Sequence, residues 1–263
     1  MSVRDGFDPG VPCWVDLSTT DVEASVRFYG ELFGWEAEFF PQPEAGGYGQ
    51  FRSGGKVVAG VGPVYAEGMP SVWNVYVCVE DAAACADRVK NAGGQVLMEP
   101  MQVFDQGRMA VFQAADGSAF SVWQPGAHKG AELVNEPGAF CWAELDSTDV
   151  EVAARFYGQV FGWEVESHHA EVPGVGPFAY HEYRSRGHPI AGMAAISPFH
   201  PQGTPSHWLA YFAVADLAAT HAKARELGAA VLIDSMPSPK GEFMLFQDPQ
   251  GAHAYAIQLN EPA

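Results

Sequence analysis

Cys13-Trp14-Val15-Asp16-Leu17, Thr20-Asp21-Val22-Glu23, Phe28-Tyr29-Gly30 and Phe33-Gly34-Trp35-Glu36 return 128 residues later. The second copy reads Cys141-Trp142-Ala143-Glu144-Leu145, Thr148-Asp149-Val150-Glu151, Phe156-Tyr157-Gly158 and Phe161-Gly162-Trp163-Glu164. A tandem duplication of this length means two homologous halves, so a site is expected twice and each residue is checked against its twin. Within one copy, Cys13 to Leu17 alternates as a strand. Asp21 then stands at an N-cap ahead of the apolar series Val22, Val26, Tyr29, Phe33, which predicts an amphipathic helix stopped by Gly34. Asp149, Val150, Ala154, Tyr157, Phe161 and Gly162 repeat the device.

Downstream, a Gly/Pro-rich stretch from Pro41 to Gly55 precedes a strand at Val57 to Val61, whose twin is Pro189 to Met193. Trp73 to Val79 reads as a strand and Ala82 to Ala92 as a helix closed by Gly93-Gly94; Trp208 to Val214 and Leu217 to Leu227 repeat them at an offset of 135. Each half closes with two strands, Met109 to Gln113 and Ser118 to Trp123, then Phe243 to Gln247 and Ala252 to Ile257. The repeat divides the chain into residues 1–130 and 131–263, each long enough to bury its own core.

With 32 acidic and 14 basic residues the net charge is −18, which repels phosphate backbones and anionic membrane surfaces. Nucleic acid and membrane are therefore not expected as partners. No segment approaches the roughly 20 apolar residues of a membrane span, and a cytoplasmic location is expected. Cys13, Cys78, Cys85 and Cys141 lie within strand or helix patterns without Cys-x-x-Cys spacing, so four reduced, mostly buried thiols are expected.

The run Asp-x-x-x-Ser/Ala-x-x-Phe-Tyr with its Phe-Gly-Trp exit, together with the late Asp248-Pro249-Gln250-Gly251 turn, resembles the vicinal oxygen chelate superfamily of glyoxalases, bleomycin-resistance proteins and extradiol dioxygenases. More narrowly, Pro12 to Leu17, Gly68-Met69-Pro70 before Trp73-Asn74, Gly107-Arg108-Met109 and Leu133 to Glu136 resemble the actinobacterial two-repeat proteins labelled hydroxylases or glyoxalase-like antigens. The resemblance implies an α+β fold of four βαβββ modules curling into two open eight-stranded cups. It also implies metal-ligand positions at Trp14 and Trp142, at Asn74 and Leu209, and at Ser121 and Tyr255. These six cannot supply a His/His/Glu shell, so a metal-independent protein without cofactor is expected. A displaced metal site would have to come from His168, His169, His181 and His188, in a stretch read as loop.

Side-chain alternation then predicts the cup linings. The first has Trp14, Asp16, Asn74, Tyr76, Ser121 and Trp123 inward; the second has Trp142, Glu144, Leu209, Tyr211, His253, Tyr255 and Ile257. Aromatic walls with few polar groups suit a hydrophobic, aromatic small molecule, antibiotic or polyketide-like, held for sequestration or biosynthesis. Asp16 and Glu144 are the candidate catalytic or anchoring carboxylates, with Arg108 a further ligand-binding candidate. The structural alternative for the carboxylates is a bond to a neighbouring strand or to Arg108. Two other functions stay open: a cofactorless lyase, isomerase or hydroxylase-like tailoring enzyme, and glyoxalase-type aldehyde detoxification. Four modules in one chain permit a monomer as well as a homodimer.

Overall fold

Asp21, Asp81, Asp149 and Asp216 each turn a carboxylate oxygen back onto amides of the following turn: onto Ala24, onto Ala83 and Ala84, onto Val152, and onto Ala219. These caps start four helices, α1 (Val22–Phe33), α2 (Ala82–Asn91), α3 (Val150–Phe161) and α4 (Leu217–Glu226). Gly34 and Gly162 end α1 and α3 at φ of 73° and 74°, a left-handed turn that glycine adopts without strain.

The computed structural model describes residues 3–172, 176–196 and 200–260. In the first half the strands are β1 (Pro12–Thr19), β2 (Glu36–Phe39), β3 (Gly49–Ser53), β4 (Lys56–Pro63), β5 (Val72–Cys78), β6 (Gln95–Val103), β7 (Gly107–Gln113) and β8 (Ala119–Pro125). The second half repeats them as β9 (Ala139–Ser147), β10 (Glu164–Val172), β11 (Gly176–Ser185), β12 (His188–Ala195), β13 (His207–Ala213), β14 (Ala230–Ser238), β15 (Gly241–Gln247) and β16 (His253–Leu259). The sheet orders are β2-β3-β4-β1-β5-β8-β7-β6 and β10-β11-β12-β9-β13-β16-β15-β14. This is the tandem-duplicated α+β fold of four βαβββ modules, and each eight-stranded sheet takes its strands from one half alone.

Exposure explains the strands that pattern reading missed. β6 and β14 are sheet edges whose residues alternate between exposed and half-buried, and Pro100 and Pro237 interrupt their short apolar runs. His168, His169 and His181 lie in the β10–β11 hairpin and His188 opens β12, so the stretch expected as loop is sheet. Cys13, Cys78 and Cys85 are buried free thiols, whereas Cys141 is half-buried. Among the described residues no helix is long and apolar enough to cross a membrane.

The two sheets turn their convex faces toward each other, with helices packed alongside and the central strands β5 and β13 in direct contact. Phe212 of β13 packs against Phe33, Trp35 and Trp73 of the first half, with ring centres 5.4, 5.4 and 4.8 Å away. Phe120 of β8 packs reciprocally on Phe156, Tyr157 and Phe161 at 6.0, 5.3 and 5.9 Å. The indoles cross the junction as well: Trp35 Nε1 donates to the Gly138 carbonyl at 2.8 Å, and its twin Trp163 donates to that of Gly10 at 2.7 Å. Such aromatic contacts join large apolar area to direction, because each indole N–H must find an acceptor when buried. The Phe-Gly-Trp exits therefore clamp the halves together, and both concave faces point outward.

Candidate functional site

In the first cup, β1, β5 and β8 bring together Trp14, Asp16, Asn74, Tyr76, Ser121 and Trp123 on one face, through the partners Trp14↔Tyr76, Asp16↔Asn74 and Tyr76↔Ser121. Asp16 is only 3% exposed and accepts three hydrogen bonds: from Asn74 Nδ2 at 2.8 Å, Tyr76 Oη at 2.9 Å and Tyr48 Oη at 3.0 Å. Burial raises its pKa, and those three bonds oppose the rise. Its partners come from strand neighbours and Tyr48, not from Arg108. Arg108 registers with Gln124 on the outer face, where Gln124 accepts from the Ala82 amide and Arg108 acts electrostatically on Asp81. With a side-chain period of two, the neighbour of the inward Met109 cannot also point inward, so Arg108 does not join the cup.

Tyr48, with its twin Tyr180, is a carboxylate partner that the alternating strand pattern of the sequence does not reveal. It lies just before β3, in the Gly/Pro-rich stretch, yet its hydroxyl crosses β4 to reach the carboxylate. The crossing depends on Gly60, the β4 partner of Asp16, because a methyl group there would collide with the Tyr48 hydroxyl. Gly192 opposes Glu144 and makes the same space for Tyr180. The shared offset of 132 for both the tyrosine and the glycine was a readable signal.

His128, in the segment after β8, packs on two lining indoles of the first cup. Its ring stands edge-on to Trp14 at 4.4 Å and against Trp123 at 5.5 Å, and its carbonyl accepts from Trp123 Nε1 at 2.9 Å. Burial holds the His128 pKa at about 4, with Glu132 opposing, and its Nε2 is buried without a partner. The sign is fixed by linkage. Since the folded pKa lies below that of free imidazole, the unfolded chain protonates first, and stability falls as pH drops from about 6.5 toward 4, by roughly 2–3 kcal/mol. Urea midpoints for the wild type and His128→Leu test this. The variant should lose that part of the acid sensitivity; parallel profiles would show that His128 is not its source.

The second cup repeats the plan with two consequential changes. Tyr180 and Tyr211 hydrogen-bond to Glu144, and Trp142 Nε1 donates to Tyr180 Oη at 3.0 Å. However, the Asn74 position is Leu209 and the Ser18 position is Asp146. Glu144 thus loses an amide donor and gains a carboxylate two residues away on its own face. Burial, and then the Asp146 charge, push its pKa up to about 8. One twin is a buried carboxyl with three hydrogen-bond donors; the other is a buried acid beside a second carboxylate.

Around Glu144 the wall is aromatic. Tyr211 stacks on Tyr255 at 4.1 Å, and Phe243 stands edge-on to them at 6.1 and 5.5 Å. Leu209, Leu245 and Ile257 complete an apolar cluster separate from the main core, with Trp142, Ile233 and Leu259 half-buried beside it. A cleft of about 580 Å³ between the N-terminal segment and β9 reaches Trp142, with Phe7, Phe140 and Ile190 among its walls. His253 lies exposed at the rim, its pKa lowered by desolvation and by His207 and His200.

Comparisons with known proteins agree with this architecture. The profile of the glyoxalase/bleomycin resistance protein/dioxygenase superfamily matches residues 13–122, and that of a glyoxalase-like domain matches residues 142–256. The chain is 38% identical to the anthracycline biosynthesis protein DauV of Streptomyces sp. (strain C5), over 97% of this chain and 95% of that one. It is equally 38% identical to a Mycobacterium tuberculosis protein provisionally named glyoxylase CFP32, over 96% of each chain. Among solved structures, the 2,3-dioxygenase LapB from Pseudomonas sp. KL28 superposes with a TM-score of 0.64 at 12% identity, covering 95% of this chain and 93% of that one.

Proposed function

The chain belongs to the glyoxalase/bleomycin resistance protein/dioxygenase superfamily, and from that membership we propose that it holds a planar aromatic, polyketide-like small molecule in its second cup, in the service of secondary metabolism. The observation that carries this is the detached aromatic floor of Tyr211, Tyr255 and Phe243 beside the buried Glu144. A flat ring system stacks on that floor, and the carboxyl between two phenols bonds its oxygen substituents. In the first cup the equivalent floor positions are Tyr76, Ser121 and Met109, with a single aromatic ring, and His128 packs on the neighbouring Trp14 and Trp123, which favours the second cup. The DauV relative is named for anthracycline biosynthesis, a chemistry of fused aromatic rings, and supports the same ligand class.

The family's metal positions do not suit a metal here. In the second cup they hold Trp142, Leu209 and Tyr255, and indole and aliphatic side chains offer no lone pair. Aldehyde chemistry of the glyoxalase type at that position is therefore disfavoured. A cofactor-free tailoring step is the second reading, favoured by the enclosure of Glu144 between Tyr180 and Tyr211.

Tryptophan-fluorescence titration with an anthracycline-type polyketide tests the binding. Saturable quenching is expected for the wild type and Asp16→Asn, with affinity about tenfold weaker in Glu144→Gln. Absence of saturable quenching, or equal losses in both variants, would overturn the assignment to the second cup. Turnover abolished in Glu144→Gln with its affinity largely kept would select the enzyme over the carrier.

A further inference from the structure

Higher on the second concave face, three potential ligand atoms meet where the first half has none. Asp146 extends the inward row of Trp142 and Glu144 and is only 4% exposed, yet its Oδ2 accepts no hydrogen bond. Facing that oxygen are His200 Nε2 at 3.3 Å and His207 Nε2 at 3.9 Å, and all three atoms lie within 4.8 Å of one another. His207 is the β13 partner of Asp146, and its Nδ1 lies 2.9 Å from the Pro205 carbonyl.

That last contact sets the chemistry. A ring nitrogen next to a carbonyl oxygen carries a proton, so in the neutral ring, the form that binds metals, the lone pair sits on Nε2, toward Asp146. Two lone pairs then face each other across a partly dry gap, an arrangement that a cation between them stabilises. A carbonyl bond to the second nitrogen is also how proteins orient metal-binding histidines. The geometry points to a divalent transition-metal site formed by Asp146, His200 and His207 at the mouth of the second cup. Metal–ligand bonds of about 2.0–2.2 Å place tetrahedral ligand atoms roughly 3.3–3.6 Å apart, so the two spacings to Asp146 need shifts of a few tenths of an ångström, and the two histidine nitrogens close from at most 4.8 Å. Two imidazoles and one carboxylate leave positions open toward the rim, the ligand set of non-haem iron(II) and of catalytic zinc.

This is not the family's metal position. On β13 and β16 that position is Leu209 and Tyr255, two residues from His207 and from the neighbouring His253, and on β9 it is Trp142, four residues from Asp146. The first half carries Ser18, Val72 and Ala119 where the second has Asp146, His207 and His253, so it supplies an internal control. The other histidine cluster, Glu166, His168 and Glu182 on the β10–β11 hairpin, is already charge-compensated: Arg184 Nη1 lies 2.8 Å from Glu166 and 3.2 Å from Glu182. The proposal is independent of the aromatic floor, since it concerns binding of the ion alone.

Titration of chelator-treated full-length protein with Zn²⁺ by calorimetry, and with Co²⁺ by visible absorption, provides the test. One ion per chain is expected, with affinity reduced about 100-fold or more in His207→Ala and in His200→Ala and unchanged in His168→Ala. Both rim histidines are partly exposed, so their variants should keep the wild-type unfolding temperature in the absence of metal; Asp146→Asn supplies a third variant if one does not. No binding, binding that survives both rim substitutions, or binding lost in His168→Ala would overturn the site.

Discussion

Phe212→Ala is expected to lower unfolding free energy by about 3–5 kcal/mol, the range for deleting a fully buried phenylalanine whose surroundings cannot collapse. The ring leaves β13 toward the other half and contacts Phe33, Trp35 and Trp73 at once. Those partners belong to a helix, a turn and a strand that are separately anchored: Trp35 through Gly138, Trp73 through its bond to Tyr29 at 2.9 Å, and Tyr29 through Asp248, also at 2.9 Å. A cavity there stays open because every wall is pinned. Urea unfolding followed by tryptophan emission gives the measurement, with Phe39→Ala, 44% exposed, as a control expected within about 0.5 kcal/mol of wild type. A Phe212→Ala loss below about 1.5 kcal/mol would mean that the junction does not hold the halves through this ring.

For Tyr255→Ala the large effect is expected on ligand affinity, a loss of about 2 kcal/mol or roughly 30-fold, the scale of a central aromatic anchor in a binding site. Tyr255 supplies half of the stacked pair on the second cup's floor. In the first cup the opposite is expected: Trp123→Ala should leave aromatic-ligand affinity unchanged while destabilising the fold by about 3 kcal/mol, because Trp123 packs on His128 and bonds its carbonyl. Titrating both variants with the same polyketide separates these effects. A larger affinity loss in Trp123→Ala than in Tyr255→Ala would move the ligand to the first cup.

How far the site was legible follows from the kind of signal each residue carries. Trp14, Asp16, Trp142 and Glu144 sit inside an alternating strand that is repeated almost intact, so both their identity and their face show in the chain. Tyr48 and Tyr180 reach the carboxylates across another strand, and a side chain's reach has no sequence period. The inward row beyond Glu144 was equally hidden: Asp146 is one step further along the same alternation, but its partner His200 comes from a segment outside any strand. Arg108 shows the reverse error, since its chemistry suggested an anion partner while its register places it on the outer face.

The duplicated motifs, the aspartate caps and the glycine stops by themselves determined the two-fold βαβββ architecture, because they act through local periodicity and through backbone conformations that a short stretch of chain dictates. Only the tertiary structure decided that each sheet closes within its own half, that His128 packs on Trp14 and Trp123 of one cup, and that Asp146, His200 and His207 converge on the other. Those outcomes depend on contacts between residues tens of positions apart, such as Trp14 with His128 and Asp146 with His207, and such contacts exist only once the strands are paired and the halves are clamped back to back.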